Sequence, residues 1–72
     1  MDPKEALRKS STALASSAEA YGGDCDPLAD AVNYDVIEVL KKVRAGASQV
    51  DIESTVSLLE KSLADLKRCL YG

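Results

Sequence analysis

Two cysteines are the residues of this chain most able to do chemistry, and the sequence leaves their state open. Cys25 follows a Gly-Gly pair, and Cys69 lies in the last apolar repeat. Two free thiols are the expected state in a reducing cytosol. A disulfide is the alternative, because an up-down-up bundle brings the first turn and the end of the third helix to the same pole; the bond requires Cα atoms within about 7 Å. A redox or metal-binding pair is the third possibility.

No other group of residues matches a catalytic or metal-binding pattern. The chain has no histidine, so Ser-His and Cys-His nucleophiles are excluded and zinc would depend on cysteines and carboxylates. Asp24, Asp26 and Asp30 lie close together but lack the twelve-residue loop and terminal glutamate of an EF-hand. The sequence therefore predicts a protein that is not an enzyme, with no catalytic residue, cofactor, metal or small-molecule substrate.

Charge and hydropathy exclude two further classes of partner. The formal net charge is −3, and residues 10–40 contain no lysine or arginine, so the clustered basic surface of a nucleic-acid-binding protein is missing. No apolar run approaches the ~20 residues of a membrane-spanning helix. The first residues lack the apolar core of a secretory signal, and we therefore expect no membrane insertion and a cytoplasmic location.

The last third of the chain carries a strict apolar repeat with spacing 4-3-4-3-4. Such spacing keeps one narrow seam on one side of a helix for five turns, which is typical of packing against other helices. We expect Leu59, Leu63 and Leu66 to be structural. The full seam consists of Ile52, Val56, Leu59, Leu63, Leu66 and Leu70.

Start and stop signals divide the chain into three helices. Asp2-Pro3 with Glu5 has the pattern of a capping box, Asp26-Pro27 repeats the start signal, and Ser48 opens the third helix. Gly22-Gly23 and Gly46 end the first two. The valine-rich second segment is also typical of a short strand, but its valines form a single stripe at helical spacing, which favours a helix. These signals predict an all-α, antiparallel up-down-up three-helix bundle in a single domain, residues 1–72, with helices at about 3–21, 27–45 and 49–70.

The first helix carries two neighbouring rows. One row holds larger residues, Leu7, Leu14 and Tyr21 among them, and every member of the other is small. Small residues at helical spacing allow another helix to approach closely, so this helix should bury little apolar area. The small row consists of Ala6, Ser10, Ala13, Ser17 and Ala20.

Three apolar residues outside the predicted seams are candidate partner-binding residues. Tyr34 and Ile37 lie on the second helix away from its valine stripe, and Leu58 flanks the seam of the third. One interpretation is structural, because a bundle helix has two neighbours and needs a broad apolar face. The other is a surface strip for a partner helix with Tyr34 as its anchor, because aromatic residues dominate interface energetics.

The functional hypothesis is an interaction module. A 72-residue chain with three tyrosines and no Phe or Trp has a thin core, which a partner would supplement. We expect a small helical adaptor or chaperone-like subunit that binds a partner helix through an amphipathic face. The alternative is a structural or regulatory homo-oligomer with a coiled-coil core built on the third helix.

A resemblance to a known family adds a third possibility. The run from Asp35 to Leu70, a helix, the turn Arg-Ala-Gly-Ala-Ser and a second helix, resembles the helical-hairpin co-chaperones of type III secretion needles. The resemblance lies in shape and turn chemistry, and it implies no particular binding residue. It makes a needle co-chaperone-like protein a further alternative.

Overall fold

The computed structural model describes all 72 residues and has three helices joined by short turns. Helix α1 covers Pro3–Ala20, α2 covers Asp26–Arg44 and α3 covers Gln49–Tyr71. Each helix packs against the other two in a rod of 36 × 17 × 16 Å. The predicted all-α, antiparallel three-helix bundle is confirmed, and the boundaries agree within a residue or two.

Two of the three predicted N-terminal caps are present. The Asp2 carboxylate accepts a hydrogen bond from the Lys4 backbone amide at 2.8 Å, and Ser48 Oγ accepts one from the Asp51 amide at 3.2 Å. The carboxylate of Glu5 does not complete a capping box, because it pairs with Arg8 at 3.4 Å. Each cap satisfies an amide that has no partner inside its helix.

Asp26 does not cap α2 as predicted, because it is the first residue of that helix. Its carboxylate accepts hydrogen bonds from the backbone amides of Gly22 and Gly23, at 3.0 and 3.3 Å. Gly22 has φ +98°, a conformation that residues with a Cβ rarely adopt. Asp26 therefore closes the turn between α1 and α2.

The α3 seam faces the interior over most of its length. Four of its residues are buried, and they pack with the valines of α2. Leu63 is half-buried, and Leu70, near the C-terminal end of α3, is exposed. The largest buried side chains are Val32, Val36, Val39, Ile52, Val56, Leu59 and Leu66.

Helix α1 turns its small row inward. All five members of that row are buried. The row of larger residues consequently lies at the edge of the helix, where Leu7, Leu14 and Tyr21 remain 40%, 43% and 44% exposed. The inward orientation of the small row thus leaves the larger apolar side chains of α1 partly exposed to water.

The same substitution at two positions of α1 tests this arrangement. Ala13 is completely buried, whereas Ala15 is exposed. We expect Ala13→Leu to lower the free energy of unfolding by about 1–3 kcal/mol or more, because a well-packed interior has no room for the added carbons. Ala15→Leu should change it by less than about 0.5 kcal/mol. Urea denaturation followed by circular dichroism measures both, and equal effects would contradict the inward orientation of the small row.

Candidate interaction surface

Ion pairs cross the edges of two of the three helix pairs. Lys9 Nζ lies 2.7 Å from Glu60 Oε1 between α1 and α3. Lys42 Nζ lies 2.9 Å from Asp51 Oδ2 between α2 and α3. The Ser62 hydroxyl also donates to the Asp35 carboxylate across the α2–α3 edge. These contacts place charged and hydroxyl groups where the two pairs meet solvent.

Helices α1 and α2 are connected by a chain of hydrogen bonds at one end only. Ser17 Oγ donates to Asn33 Oδ1 at 2.6 Å, and Asn33 Nδ2 donates to the Tyr21 hydroxyl at 2.6 Å. That hydroxyl in turn donates to Asp30 Oδ1 at 2.5 Å. Ser17 is buried, so the chain runs from the interior to the surface.

The contact between Tyr21 and Asp30 aligns two rows with seven-residue spacing. Residues seven apart lie nearly on the same side of a helix, so Leu7 and Leu14 share one side of α1, and Tyr21, which directly follows Ala20, continues their row. Ile37 and Arg44 share the side of Asp30 on α2. Because the two helices are antiparallel, the Tyr21–Asp30 contact puts Leu14 level with Ile37, and Leu7 level with Arg44. We call this surface, with the adjacent outward residues Tyr34 and Lys41, the α1/α2 face; its two rows are Leu7, Leu14, Tyr21 and Asp30, Ile37, Arg44.

The predicted contact residues are all exposed but do not share one surface. Tyr34 is 63%, Ile37 51% and Leu58 61% exposed, so the interpretation that they fill the interior does not describe this structure. Ile37 lies on the α1/α2 face and Tyr34 next to it. Leu58 lies on the outward side of α3, four residues before Ser62, away from α1.

Three further apolar residues of this face were not singled out as binding residues from the sequence. Leu7, Leu14 and Tyr21 form a visible heptad row, but a heptad row is as typical of an interior seam as of a surface. The signal that identifies them is the neighbouring row of small residues, because one helix cannot bury both rows equally. Asn33, which bonds Tyr21, has no recognisable sequence signal.

The two ends of the α1/α2 face carry opposite charge. Lys4, Lys41 and Arg44 lie at the end where α1 begins and α2 finishes, together with Asp2, which caps α1, and Glu5, which pairs with Arg8. Asp30 lies at the other end, and Asp24 lies in the turn that precedes α2 there. Residues 10–40 contain no basic side chain that would neutralise the acidic end from within either helix. The face is therefore basic at one end, apolar in the middle and acidic at the other.

A shallow groove on the α1–α3 side is the second candidate. Its volume is about 200 Å³, smaller than the roughly 300–1,000 Å³ typical of small-molecule sites. The Lys9–Glu60 ion pair lies within its lining, and this hydrogen bond raises the pKa of Lys9. Its other lining residues include Arg8, Thr12, Leu59 and Leu63.

Cys25 and Cys69 form a disulfide in the structure. Their Cα atoms are 6.1 Å apart. The structure therefore contains the disulfide that the sequence left as an alternative, and the expectation of two free thiols is wrong. Cys25 is buried with the core cluster, whereas Cys69 is exposed. The bond connects the C-terminal part of α3 to the turn between α1 and α2.

Neither a metal site, a membrane-spanning helix nor a similar known protein points to a function for this chain. No group of three metal-ligating side chains is assembled, and none of the helices combines the length and apolar character needed to cross a membrane. No protein-family model, curated protein or solved structure matches this chain.

The pH dependence of Tyr21 tests the surface end of the hydrogen-bond chain. The hydrogen bond to Asp30, assisted by partial burial, raises the pKa of Tyr21 above 10.0. The stabilisation that the Tyr21–Asp30 hydrogen bond provides is fully present below the pKa that Tyr21 has in the unfolded chain. It is lost as pH rises through the pKa that Tyr21 has in the folded chain. In a Tyr34→Phe/Tyr71→Phe background, ultraviolet titration should show Asp30→Asn lowering the pKa of Tyr21. An unchanged titration curve would contradict the contact.

Reduction of the disulfide tests how much the bundle depends on it. The bond closes a loop with a sequence separation of 44 residues. In the chain-entropy description, opening such a loop lowers the free energy of unfolding by about 2–4 kcal/mol. We expect Cys25→Ser/Cys69→Ser to unfold at lower urea concentration than the oxidised protein, by circular dichroism. Identical midpoints would show that the bond adds no stability.

Proposed function

We propose that this chain is a protein–protein interaction module, an adaptor or chaperone-like subunit that binds a partner through the α1/α2 face. The observation that carries the proposal is the partial exposure of Leu7, Leu14, Tyr21 and Ile37 along one continuous edge. Contiguous apolar residues with a polar rim are typical of protein interaction sites. Action by contact rather than catalysis agrees with the lack of histidine in the chain.

A homo-oligomer with a coiled-coil core built on α3 is less well supported than the interaction module. Its seam on α3 is already occupied inside the monomer, where Ile52, Val56, Leu59 and Leu66 are buried. An oligomer built on that seam would require the bundle to open. The α2–α3 hairpin, which carries the resemblance to type III secretion needle co-chaperones, likewise directs this seam inward. Either alternative would need to use a different surface of α3.

The proposed binding surface is the same in a reducing and in an oxidising compartment. The cytoplasmic location expected from the sequence would keep Cys25 and Cys69 reduced, whereas disulfides persist in oxidising compartments. The α1/α2 face contains neither cysteine, so binding through it does not require the bond. We therefore propose the same interaction surface for the oxidised and the reduced chain.

A matched pair of surface variants tests the proposed site. Leu14→Ser/Ile37→Ser removes the apolar centre of the α1/α2 face, and Leu58→Ser removes an exposed leucine from the outward side of α3. Affinity purification from the native cells with chemical cross-linking, followed by mass spectrometry, should recover the partner with the wild type and Leu58→Ser. We expect the double variant to lose it.

Circular dichroism of both variants provides the control for folding. Loss of the partner with Leu58→Ser alone would move the site to α3. Retention with a folded double variant would refute the α1/α2 face as the binding surface.

A further inference from the structure

We infer that the partner of the α1/α2 face is a second copy of this chain, bound antiparallel about a two-fold axis. The inference rests on the proposed function and names the occupant of that surface. Three observations carry it: the order of charges along the face, the absence of salt bridges from those charges to another helix, and the surface area that the face offers.

The order of charges makes the face complementary to itself. A two-fold axis that lies in the plane of the face, crosses its middle and runs perpendicular to the helices places the basic end of one copy against the acidic end of the other, and does so twice. Lys41 and Arg44 of one copy would then face Asp24 and Asp30 of the other. The same rotation brings Leu14 and Ile37 of each copy against their counterparts at the centre.

The charges at the two ends are available for such contacts. Lys4 and Arg44 at the basic end form no salt bridge within the chain, and neither do Asp24 and Asp30 at the acidic end. Lys41 lies 3.7 Å from Glu38, and its side chain is 70% exposed. By contrast, Lys9 and Lys42 on the other two edges are paired with α3. Unpaired charges of opposite sign at fixed separation select register as well as partner.

The face is large enough for a stable dimer. An interface of standard size uses about 800 Å² per partner. That area is less than a fifth of the 4533 Å² surface of the chain. The α1/α2 face is one of three long sides of a rod 36 Å in length, so it can supply this area without using the helix ends.

Complementary charge reversals test the antiparallel dimer. Lys41→Glu/Arg44→Glu makes both ends of the face acidic, and Asp24→Lys/Asp30→Lys makes both ends basic. Each variant alone should associate at least about tenfold more weakly than the wild type, because like charges then face each other twice. An equimolar mixture should form a heterodimer, because every contact in the mixed pair joins opposite charges again.

Sedimentation equilibrium of the purified, oxidised 72-residue chain at increasing concentration measures the fractions of monomer and dimer. The wild type should show a monomer–dimer equilibrium that weakens between about 0.1 M and 1 M salt, as the Debye length falls from about 10 Å to about 3 Å. Restored association in the mixture also demonstrates that both variants are folded.

The outcomes separate this inference from the proposed function. A wild type that stays monomeric at low salt, or variants that still dimerise alone, would overturn the antiparallel dimer. If the wild type is monomeric while Leu14→Ser/Ile37→Ser still abolishes recovery of another protein, the interaction module stands with a different partner. If the dimer forms as described and no other protein is recovered, self-association replaces the adaptor role.

Discussion

The inward orientation of the small row on α1 is the constraint from which most other features follow. A helix that presents only alanine and serine to the interior lets its neighbours approach closely, but contributes little apolar area. The branched residues of α2 and α3 therefore supply the bulk of the core. The leucines of α1 cannot reach the interior without moving the small row out, so they remain at the edge beside α2.

Polar contacts at the helix edges determine which side of the bundle stays apolar. The pairs Lys9–Glu60 and Lys42–Asp51 connect α3 to both of its neighbours and place charge at those edges. Exposed ion pairs of this kind add little stability. Their effect here is to distinguish the three edges, because the α1–α2 edge is joined only near Tyr21 and Asp30. The remaining length of that edge is left to Leu7, Leu14 and Ile37.

The fold could be predicted from the sequence because its signals are local and agree with one another. The α3 repeat, the proline-containing helix starts and Gly22 and Gly46 each depend on a few neighbouring residues. The candidate interaction surface was harder to predict, because exposure depends on which of two adjacent rows on α1 faces inward, and both rows have helical spacing. The role of Asp26 in the turn and the bond from Asn33 to Tyr21 depend on tertiary contacts, which no local pattern encodes.

The charges of α1 agree with its helix dipole only in part. In α2 the acidic residues near the start and the basic residues near the end both favour the helix dipole. At the start of α1, Asp2 and Glu5 favour the dipole, whereas Lys4 in the same turn opposes it. The last turn of α1 has no basic residue, and Glu19 lies near its end. Lys4 and Glu19 therefore add to the charge that α2 presents at each pole, but Asp2 and Glu5 offset this contribution at the start of α1. The polarity of the α1/α2 face consequently comes mainly from α2, whose acidic start and basic end favour its dipole whether or not a partner binds.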